Sequence, residues 1–409
     1  MKALYFKPDL HRAIITKLLA QFSRDAYWGK ASPLIFGEVP EPELPSQDWV
    51  KIKCRLSGIC GSDLAAITLK GTLDNPVKHF VSFPMFLGHE IVGEIALMGN
   101  QVKDFREGDR VVVYPILYCT PRAISPPCPS CQKGDFHLCQ GYAQGSLPPG
   151  QVIGVNSRTG GGFSEYLVAH SSQLFHIPAS VPDDYPVLFD PLCVALHAVL
   201  QAALEDSHKV LVIGAGIVGL SVIQMIRALG RKSMVYAVAR YDFQKELASK
   251  SGADRVLNDS DDLNVTAQLA DELKARYYYS RFVKPFLMGG FDVIFDCVGT
   301  AETIHKGIRW ANQGGKVVLI GASPAKRFEW SLLYWKEIKL LGSLSYGMET
   351  VNGIRMHAFD AAFQMIEQNR LKLDIFPIHK YRLDEYQEAF AGLVHKGKSQ
   401  PVKTAFVFT

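Results

Sequence analysis

The stretch Val210-Leu-Val-Ile-Gly214-Ala-Gly216-Ile-Val-Gly219 decides how the central part of this chain folds. Its apolar start predicts a buried strand, and its three glycines have the G-x-G-x-x-G spacing of a tight turn that opens a helix. In such a turn Gly214 permits the change of direction, Gly216 lets the backbone approach a pyrophosphate, and Gly219 lets helix and strand pack closely. The stretch therefore predicts a dinucleotide-binding turn.

The residues about 20 positions further on bear on which dinucleotide is bound. Ala239 stands where a site for NAD carries an acidic residue, and Arg240 and Tyr241 follow it. Loss of the carboxylate removes repulsion toward a ribose 2′-phosphate, which a guanidinium binds through paired hydrogen bonds. We predict a preference for NADP(H), with Tyr241 stacked on the adenine or the guanidinium; alternatively, Arg240 is a solvated surface residue and either cofactor binds. The predicted cofactor contacts are Gly214, Gly216, Ile217, Val218, Gly219, Ala239, Arg240, Tyr241, Val298 and Gly321.

Strand-like and helix-like segments alternate around this turn, from about residue 188 to 345, which predicts a doubly wound parallel sheet, the Rossmann fold. Residues 1–187 contain short β-branched runs broken by Gly, Pro and Asp, which predict a β-rich domain, and residues 346–409 return to it. The fold class is thus α/β, with a discontinuous domain (1–187 and 346–409) and a nucleotide domain (188–345). We expect an inserted helix within 9–30 and a long connection at 274–289.

The composition excludes several classes of protein. A chain of 409 residues is too long for one hydrophobic core. Its 44 basic and 40 acidic side chains give a net charge of +4, which leaves no basic footprint for nucleic acid or an anionic membrane. Eight cysteines are few for a disulfide-stapled secreted domain, and the N-terminal residues lack the apolar run of a signal peptide. We expect a cytoplasmic enzyme without a nucleic-acid or membrane partner.

Four of the cysteines lie within 21 residues, and we call Cys119, Cys128, Cys131 and Cys139 the four-cysteine cluster. Tight local spacing of this kind is typical of a metal site rather than of disulfides in a long chain. Four thiolates in a closed tetrahedral arrangement indicate structural zinc. The first member is the weak point of this prediction, because its loop to the second is long; the alternative is a group of unrelated buried cysteines.

Two further segments stand out, SGICGSD at residues 57–63 and LGHEIVGE at 87–94. They are followed in order by GDRVVV, the four-cysteine cluster, FDPLCVALHA and the glycine turn. With this order of motifs, nearly the whole chain resembles the zinc-dependent medium-chain dehydrogenase/reductase family, the group of alcohol, polyol and threonine dehydrogenases. The resemblance implies a GroES-like catalytic domain beside the Rossmann domain, and a homodimer or homotetramer.

The resemblance also implies an active site. Cys60, His89 and Asp190 match the ligands of a catalytic zinc ion, and Glu90 matches an adjacent carboxylate that is either a neighbour or an exchangeable ligand, so Glu90 and Asp190 compete for the third position. A set of Cys, His and carboxylate leaves one position for water or substrate. Ser62 matches the hydroxyl that passes the substrate proton. The implied reaction is zinc-assisted hydride transfer between a small alcohol or carbonyl compound and NADP(H).

The sequence departs from the family pattern at the segments 9–30 and 274–289 and in two further places. Many relatives carry a histidine five residues after the first zinc cysteine, where this chain has Ala65, so water and the cofactor ribose are the alternative proton carriers beyond Ser62. The gap between the first two members of the four-cysteine cluster, residues 120–127, is expanded. Two other functions stay open: a zinc-free enone or quinone reductase of the same fold, and a non-catalytic dinucleotide-binding sensor. The substrate is not readable from the sequence.

Overall fold

The computed structural model describes residues 1–70, 75–259, 262–321, 329–395 and 400–408. The chain folds as two units, Met1–Asp190 with Pro377–Thr409, and Pro191–Phe376. Among the described residues, the longest apolar helices are too short or too polar to span a bilayer.

The first unit is built mainly of β-strands. Its helices are α1 (Leu10–Leu19), α2 (Gly61–Ile67), α3 (Pro129–Gln132) and α11 (Tyr386–Val394). Its strands are β1 (Lys2–Phe6), β2 (Leu34–Glu38), β3 (Trp49–Gly58), β4 (Glu90–Met98), β5 (Arg110–Val113), β6 (Tyr166–His170), β7 (Leu174–His176), β18 (Ile378–Arg382) and β19 (Lys403–Val407).

A seven-stranded sheet organises this unit, in the order β18-β19-β3-β4-β5-β7, with β6 also paired to β3. Strand β3 is long and alternates buried with half-buried residues, which suits a strand with one face in the core. It pairs antiparallel with β4, so that Gly58 at its end faces Glu90 at the start of β4. Antiparallel pairing therefore places the residues just after β3 and those just before β4 at the same end of this pair of strands.

The second unit alternates strands and helices. Its helices are α4 (Phe189–Ala202, which begins at the end of the first unit), α5 (Ile217–Ala228), α6 (Asp242–Lys250), α7 (Asp262–Leu273), α8 (Ala301–Trp310), α9 (Ser331–Trp335) and α10 (Ala358–Glu367). Its strands are β8 (Lys209–Ile213), β9 (Met234–Ala239), β10 (Arg255–Asn258), β11 (Arg276–Ser280), β12 (Val283–Met288), β13 (Phe291–Asp296), β14 (Ala311–Leu319), β15 (Lys339–Gly342), β16 (Met348–Val351) and β17 (Ile354–His357).

Six of these strands form one parallel sheet in the order β10-β9-β8-β13-β14-β15. Numbered along the chain, that order is 3-2-1-4-5-6, the arrangement of a doubly wound dinucleotide-binding sheet. The order reverses between β8 and β13, and ligands of such sheets bind at the carboxyl ends of the strands where it reverses. The predicted glycine turn follows β8 and lies at this point.

The second junction between the units differs from the predicted boundary. The sequence predicts that residues 346–376 belong with the β-rich domain, whereas in the structure they belong to the unit with the parallel sheet. Strands β16 and β17 form a hairpin that packs on α10. Gln224 of α5 then accepts a hydrogen bond from the backbone N–H of Lys372 and donates one to its carbonyl, which ties the end of this segment to the nucleotide-binding unit.

The two predicted insertions are ordered elements. Helix α1 forms within 9–30, but its apolar residues Leu10, Ile14 and Leu18 are exposed, and the helix is held by polar contacts. Thr16 is its buried side chain and donates a hydrogen bond to the carbonyl of Ala31. The connection at 274–289 is the antiparallel hairpin of β11 and β12.

Candidate cofactor, metal and active sites

The glycine turn has the geometry of a phosphate-binding loop. Gly214 has φ of +93°, and a Cβ there would lie 2.5 Å from a methyl carbon of Val298. A Cβ on Gly219 would lie 1.8 Å from the carbonyl oxygen of Gly214, so only glycine allows α5 to start this close to β8. At Gly216, by contrast, no atom of the described residues lies within 4 Å of the Cβ position. Gly216 directly precedes the first turn of α5, where N–H groups and the helix dipole attract a phosphate.

Val298 and Gly321 belong to the same edge of the sheet. A Cβ on Gly321 would lie 2.4 Å from the carbonyl carbon of Val298, and Val298 itself is 43% exposed. The Asp296 carboxylate accepts the N–H groups of Val298 and Gly299 at 3.0 and 2.9 Å. Burial raises the pKa of Asp296, and these hydrogen bonds oppose the rise. Val298 and Gly321 thus lie together beside Gly214, just beyond the ends of β13 and β14.

The end of β9 holds the residues that were predicted to select the cofactor. Ala239 is buried, and the side chain of Arg240 is 67% exposed, with its nearest ion-pair partner, Asp259, at 3.7 Å. Tyr241 stacks on Phe243 at a ring distance of 5.8 Å. Sequence reasoning missed Asp259, which follows β10, although its place at the carboxyl end of a strand was a signal. Its carboxylate is bound at 2.5 Å by the buried Lys306.

Asp63 joins the two segments that were predicted to carry the active site. One of its oxygens accepts the backbone N–H of Cys60 at 2.9 Å, and the other accepts the N–H of Gly88 at 3.1 Å. The second oxygen also lies 3.7 Å from Nδ1 of His89. The Asp63 side chain is 3% exposed, so these contacts are shielded from water. We call this arrangement the Cys60–His89 site.

The charges around His89 favour a protonated or metal-bound imidazole. Burial lowers the pKa of His89, but the Asp63 carboxylate and the Cys60 side chain outweigh it, and the pKa is raised well above its ordinary value. A carboxylate behind a histidine fixes the orientation of the ring, as in many metal sites. Asp63 thus holds the backbone of Cys60 and of Gly88 together and lies beside the His89 ring.

Glu90 points to a different partner, Lys403 at the start of β19. The two side chains form an ion pair, and they are 3% and 1% exposed. Gly58 makes room for it, because a Cβ there would lie 1.8 Å from a carboxylate oxygen of Glu90 and 2.7 Å from Nζ of Lys403. Burial raises the pKa of Glu90, and Lys403 opposes the rise. No local pattern in the sequence points to Lys403, which is 313 residues from Glu90.

Asp190 and Ser62 border this region. Asp190 lies in the first turn of α4 and is close enough to Glu90 to contribute to its raised pKa. Ser62 is exposed in the first turn of α2, and Ala65 lies one turn further on. Within the described part of the chain, Cys60, His89, Glu90 and Asp190 do not reach the mutual 4.8 Å spacing of metal-binding atoms that the four-cysteine cluster shows.

The four-cysteine cluster is fully assembled. The four Sγ atoms all lie within 4.8 Å of one another, and those of Cys119 and Cys139 are 3.6 Å apart. Backbone N–H groups point at the sulfur atoms. The N–H groups of Cys128, Gln140 and Gly141 donate to Cys119, Cys128 and Cys139 at 3.3, 3.5 and 3.3 Å. Such hydrogen bonds stabilise thiolates, so the donor set fits a tetrahedral zinc ion.

The thiols of the cluster are electrostatically unequal. Burial would raise the pKa of Cys128, but the N–H groups of Gln140 and Cys131 lower it to about 6. Burial raises the pKa of Cys139 to about 12 and that of Cys131 further. A divalent metal that binds all four sulfur atoms as thiolates must therefore displace the protons of the buried Cys131 and Cys139.

Comparison with known protein families divides the chain in the same way as its fold. Residues 46–179 match the alcohol dehydrogenase GroES-like domain, and residues 218–365 match the zinc-binding dehydrogenase domain.

Individual proteins of known name or structure are similar over nearly their whole length. L-threonine 3-dehydrogenase of Paraburkholderia phytofirmans is 30% identical over 368 residues, which cover 89% of this chain and 94% of that enzyme. The alcohol dehydrogenase of the hyperthermophilic archaeon Aeropyrum pernix superposes with a TM-score of 0.75 at 21% identity, over the full length of both chains. The 2R,3R-butanediol dehydrogenase of Bacillus subtilis superposes with a TM-score of 0.70 at 24% identity, over 100% and 99% of the two chains. At these identities the two structures show a shared fold.

Proposed function

Because the chain belongs to the zinc-dependent medium-chain dehydrogenase family, we propose that it transfers a hydride between a small alcohol or carbonyl substrate and NADP(H). The observation that carries this proposal is the Asp63 carboxylate, which holds the Cys60 and His89 segments together away from water. A buried acid that supports a thiol and an imidazole is what a catalytic metal site requires and what a dinucleotide-binding sensor does not.

By the chemistry of its residues, the donor set suits a catalytic zinc ion. Cys60, His89 and Asp190 would supply a thiolate, an imidazole and a carboxylate, which together leave a fourth position for substrate. Glu90 would stay outside this set, because its charge is already paired with Lys403. When bound, zinc polarises the substrate oxygen and lowers the pKa of a substrate hydroxyl group.

The side chains around the site perform the remaining tasks. Asp63 orients the imidazole of His89 through the contact to Nδ1. The Oγ of Ser62 would accept the hydroxyl proton when an alcohol is oxidised and return it when a carbonyl is reduced. Since Ser62 is exposed and Ala65 offers no second proton carrier, water would take the proton directly from Ser62.

The proposed preference for NADP(H) rests on Ala239 and Arg240. The buried alanine leaves no carboxylate at the end of β9, and the exposed guanidinium is free to turn toward a ribose phosphate because its 3.7 Å contact to Asp259 is loose. Asp259 would repel a phosphate if its charge were unpaired. Lys306 binds that carboxylate more closely, so the three side chains together carry one positive charge.

A titration of the purified protein with NADPH and NADH tests the preference without a known substrate. Arg240→Ala should weaken NADPH binding by about 10- to 100-fold, since a charge-assisted hydrogen bond contributes about 1.5–3 kcal/mol, and should leave NADH binding unchanged. Lys250→Ala is the control, because Lys250 is a similarly exposed cation that pairs with Glu246 on the same helix. Equal affinities of the unaltered protein for the two cofactors would contradict the proposal.

Turnover is then measured with the preferred cofactor. The panel contains L-threonine, in view of the similar threonine dehydrogenases, together with secondary alcohols, polyols and sugars. Oxidation of one of these classes supports the proposed reaction, whereas reduction of enones alone would favour the zinc-free reductase.

A further inference from the structure

The expanded gap of the four-cysteine cluster contains a buried arginine. Arg122 lies between Cys119 and Cys128 and is 0% exposed. All five of its N–H groups donate to backbone carbonyls, at 2.7 to 3.1 Å. The acceptors are Leu117, Gln144, Leu147, Pro148 and Gly150.

These hydrogen bonds satisfy the donors of Arg122 but do not neutralise its charge. Within the described residues no carboxylate forms an ion pair with this guanidinium, although a buried charge is costly unless an opposite charge compensates it. Burial lowers the pKa of Arg122 to about 10, and the side chains of Cys139, Tyr142 and Cys119 oppose this fall. Two of these three belong to the four-cysteine cluster.

The four-cysteine cluster, when it holds a metal ion, has an uncompensated negative charge. A divalent cation held by four thiolates leaves two net negative charges in a site where Cys119, Cys131 and Cys139 are buried. The carbonyls that hold Arg122 lie on both sides of the cluster in the sequence, one before Cys119 and four after Cys139. The guanidinium is thus fixed inside the same closed loop as the thiols.

We propose that Arg122 is the internal counter-charge of the four-cysteine metal site and raises its affinity for a divalent cation. This inference rests on the proposed structural zinc site. Arg122 acts as a positioning residue rather than as a ligand. Its positive charge stabilises the metal-loaded, four-thiolate state relative to the metal-free state, and its five hydrogen bonds hold that charge at a fixed place.

The alternative is that Arg122 only stabilises the loop through its hydrogen bonds. Arg122→Lys and Arg122→Gln separate the two roles, because both lose most of the five hydrogen bonds and only the lysine keeps the charge. Both variants are made in a Cys60→Ala background, which removes the other proposed zinc site. Arg227→Gln is the matched control, since Arg227 also donates to three backbone carbonyls but lies in the second unit and pairs with Asp254.

Each protein is unfolded by urea at a series of buffered free zinc concentrations, and zinc affinity is obtained from the dependence of stability on free zinc. We expect Arg122→Gln to need at least about tenfold more zinc than the parent for the same gain in stability, or not to fold at all, while Arg122→Lys stays within about threefold of the parent. Arg227→Gln should lose stability equally at every zinc concentration.

Equal zinc affinities of the lysine and glutamine variants, or failure of both to fold, would overturn the inference. Arg122 would then only stabilise the loop through its hydrogen bonds. Failure of the zinc site itself has a different signature. In that case the parent protein would gain no stability from zinc, and Cys128→Ala would behave like the parent.

Discussion

The four-cysteine cluster and the Cys60–His89 site are two metal-site candidates in one unit, and they are assembled by different means. The first draws its ligands from 21 consecutive residues, and its sulfur atoms are gathered within 4.8 Å. The second draws on segments near residues 60, 89 and 190, and only the pairing of β3 with β4 brings the first two together. Local spacing is enough to build a closed site, whereas an open site depends on the sheet and on side chains such as Asp63.

This difference has a chemical counterpart. The closed cluster receives N–H···S hydrogen bonds from its own loop and carries its counter-charge, Arg122, in the same loop. The open site has an exposed Ser62 and a half-buried Cys60, and its buried charges come from distant parts of the chain. Under the proposed function, a substrate must reach the Cys60–His89 site and need not reach the four-cysteine cluster.

The largest expected effects separate the two sites by exchanging one cysteine in each. Cys60→Ala should lower turnover by at least roughly 10³-fold, because zinc contributes several kcal/mol of transition-state stabilisation, and should leave the unfolding midpoint nearly unchanged. Cys131→Ala should instead destabilise the first unit by several kcal/mol, because metal binding there is part of folding.

Metal analysis accompanies both measurements, with two zinc ions expected per unaltered chain and one in each variant. Cys54→Ala is the control, since Cys54 is buried and its sulfur donates to backbone carbonyls rather than joining a group of metal ligands among the described residues. Loss of stability in Cys60→Ala as large as that in Cys131→Ala would show that the Cys60–His89 site is needed for folding as much as the four-cysteine cluster is.

The second prediction concerns Lys403, the distant charge that pairs with Glu90 next to the Cys60–His89 site. Lys403→Met should cost about 3–5 kcal/mol of unfolding free energy, because it leaves the Glu90 carboxylate buried and unpaired. The double variant Glu90→Gln, Lys403→Met should recover most of this loss. A single variant that costs less than about 1 kcal/mol would mean that the ion pair is not buried in solution.

The loss in Lys403→Met should also depend on pH. Burial raises the pKa of Glu90 in the folded state, so the folded protein takes up a proton before the unfolded chain does as the pH falls. The variant therefore regains stability relative to the unaltered protein as the pH falls toward the ordinary pKa of glutamic acid. Urea unfolding at several pH values measures this, and a loss that grows on acidification would contradict the assignment.

The smallest predicted effect comes from the carboxylate that joins the two halves of the open site. Asp63→Asn keeps an oxygen for one backbone N–H but removes the charge beside His89, and should lower metal affinity or turnover about 10- to 100-fold. Asp48→Asn is the matched control. Asp48 contacts Nε2 of His170 at 3.0 Å elsewhere in the same unit, so its loss should affect stability and not turnover.

The sequence allowed much of this arrangement to be predicted where the signal is local. The glycine turn, the parallel sheet around it and the four-cysteine cluster all follow from spacings shorter than about 20 residues. Lys403 and Asp259 were missed because their partners lie on distant elements, Glu90 on β4 and Lys306 on α8. Strand register and the packing of helices on the sheet decide which side chains meet, and no local pattern encodes them.

Two further differences between the predicted and the observed fold also arise from contacts that local sequence does not encode. The segment 346–376 looks like a return to the β-rich domain, but the hydrogen bonds of Gln224 hold its end to the nucleotide-binding unit. Helix α1 was predicted from its apolar spacing, which fixes the helix but not whether its apolar side faces a core.

The pairing of Glu90 with Lys403 also sets an order of events during synthesis. The two residues are 313 positions apart, and the whole second unit is encoded between them. A nascent chain must therefore carry the Glu90 carboxylate without its partner until β19 has been made and has added to the edge of β3. Until then the Glu90–Lys403 ion pair beside Gly58 cannot form. The surroundings of the Cys60–His89 site are therefore completed only after the cofactor-binding unit has been translated. The ligands of the four-cysteine cluster, by contrast, are all present much earlier.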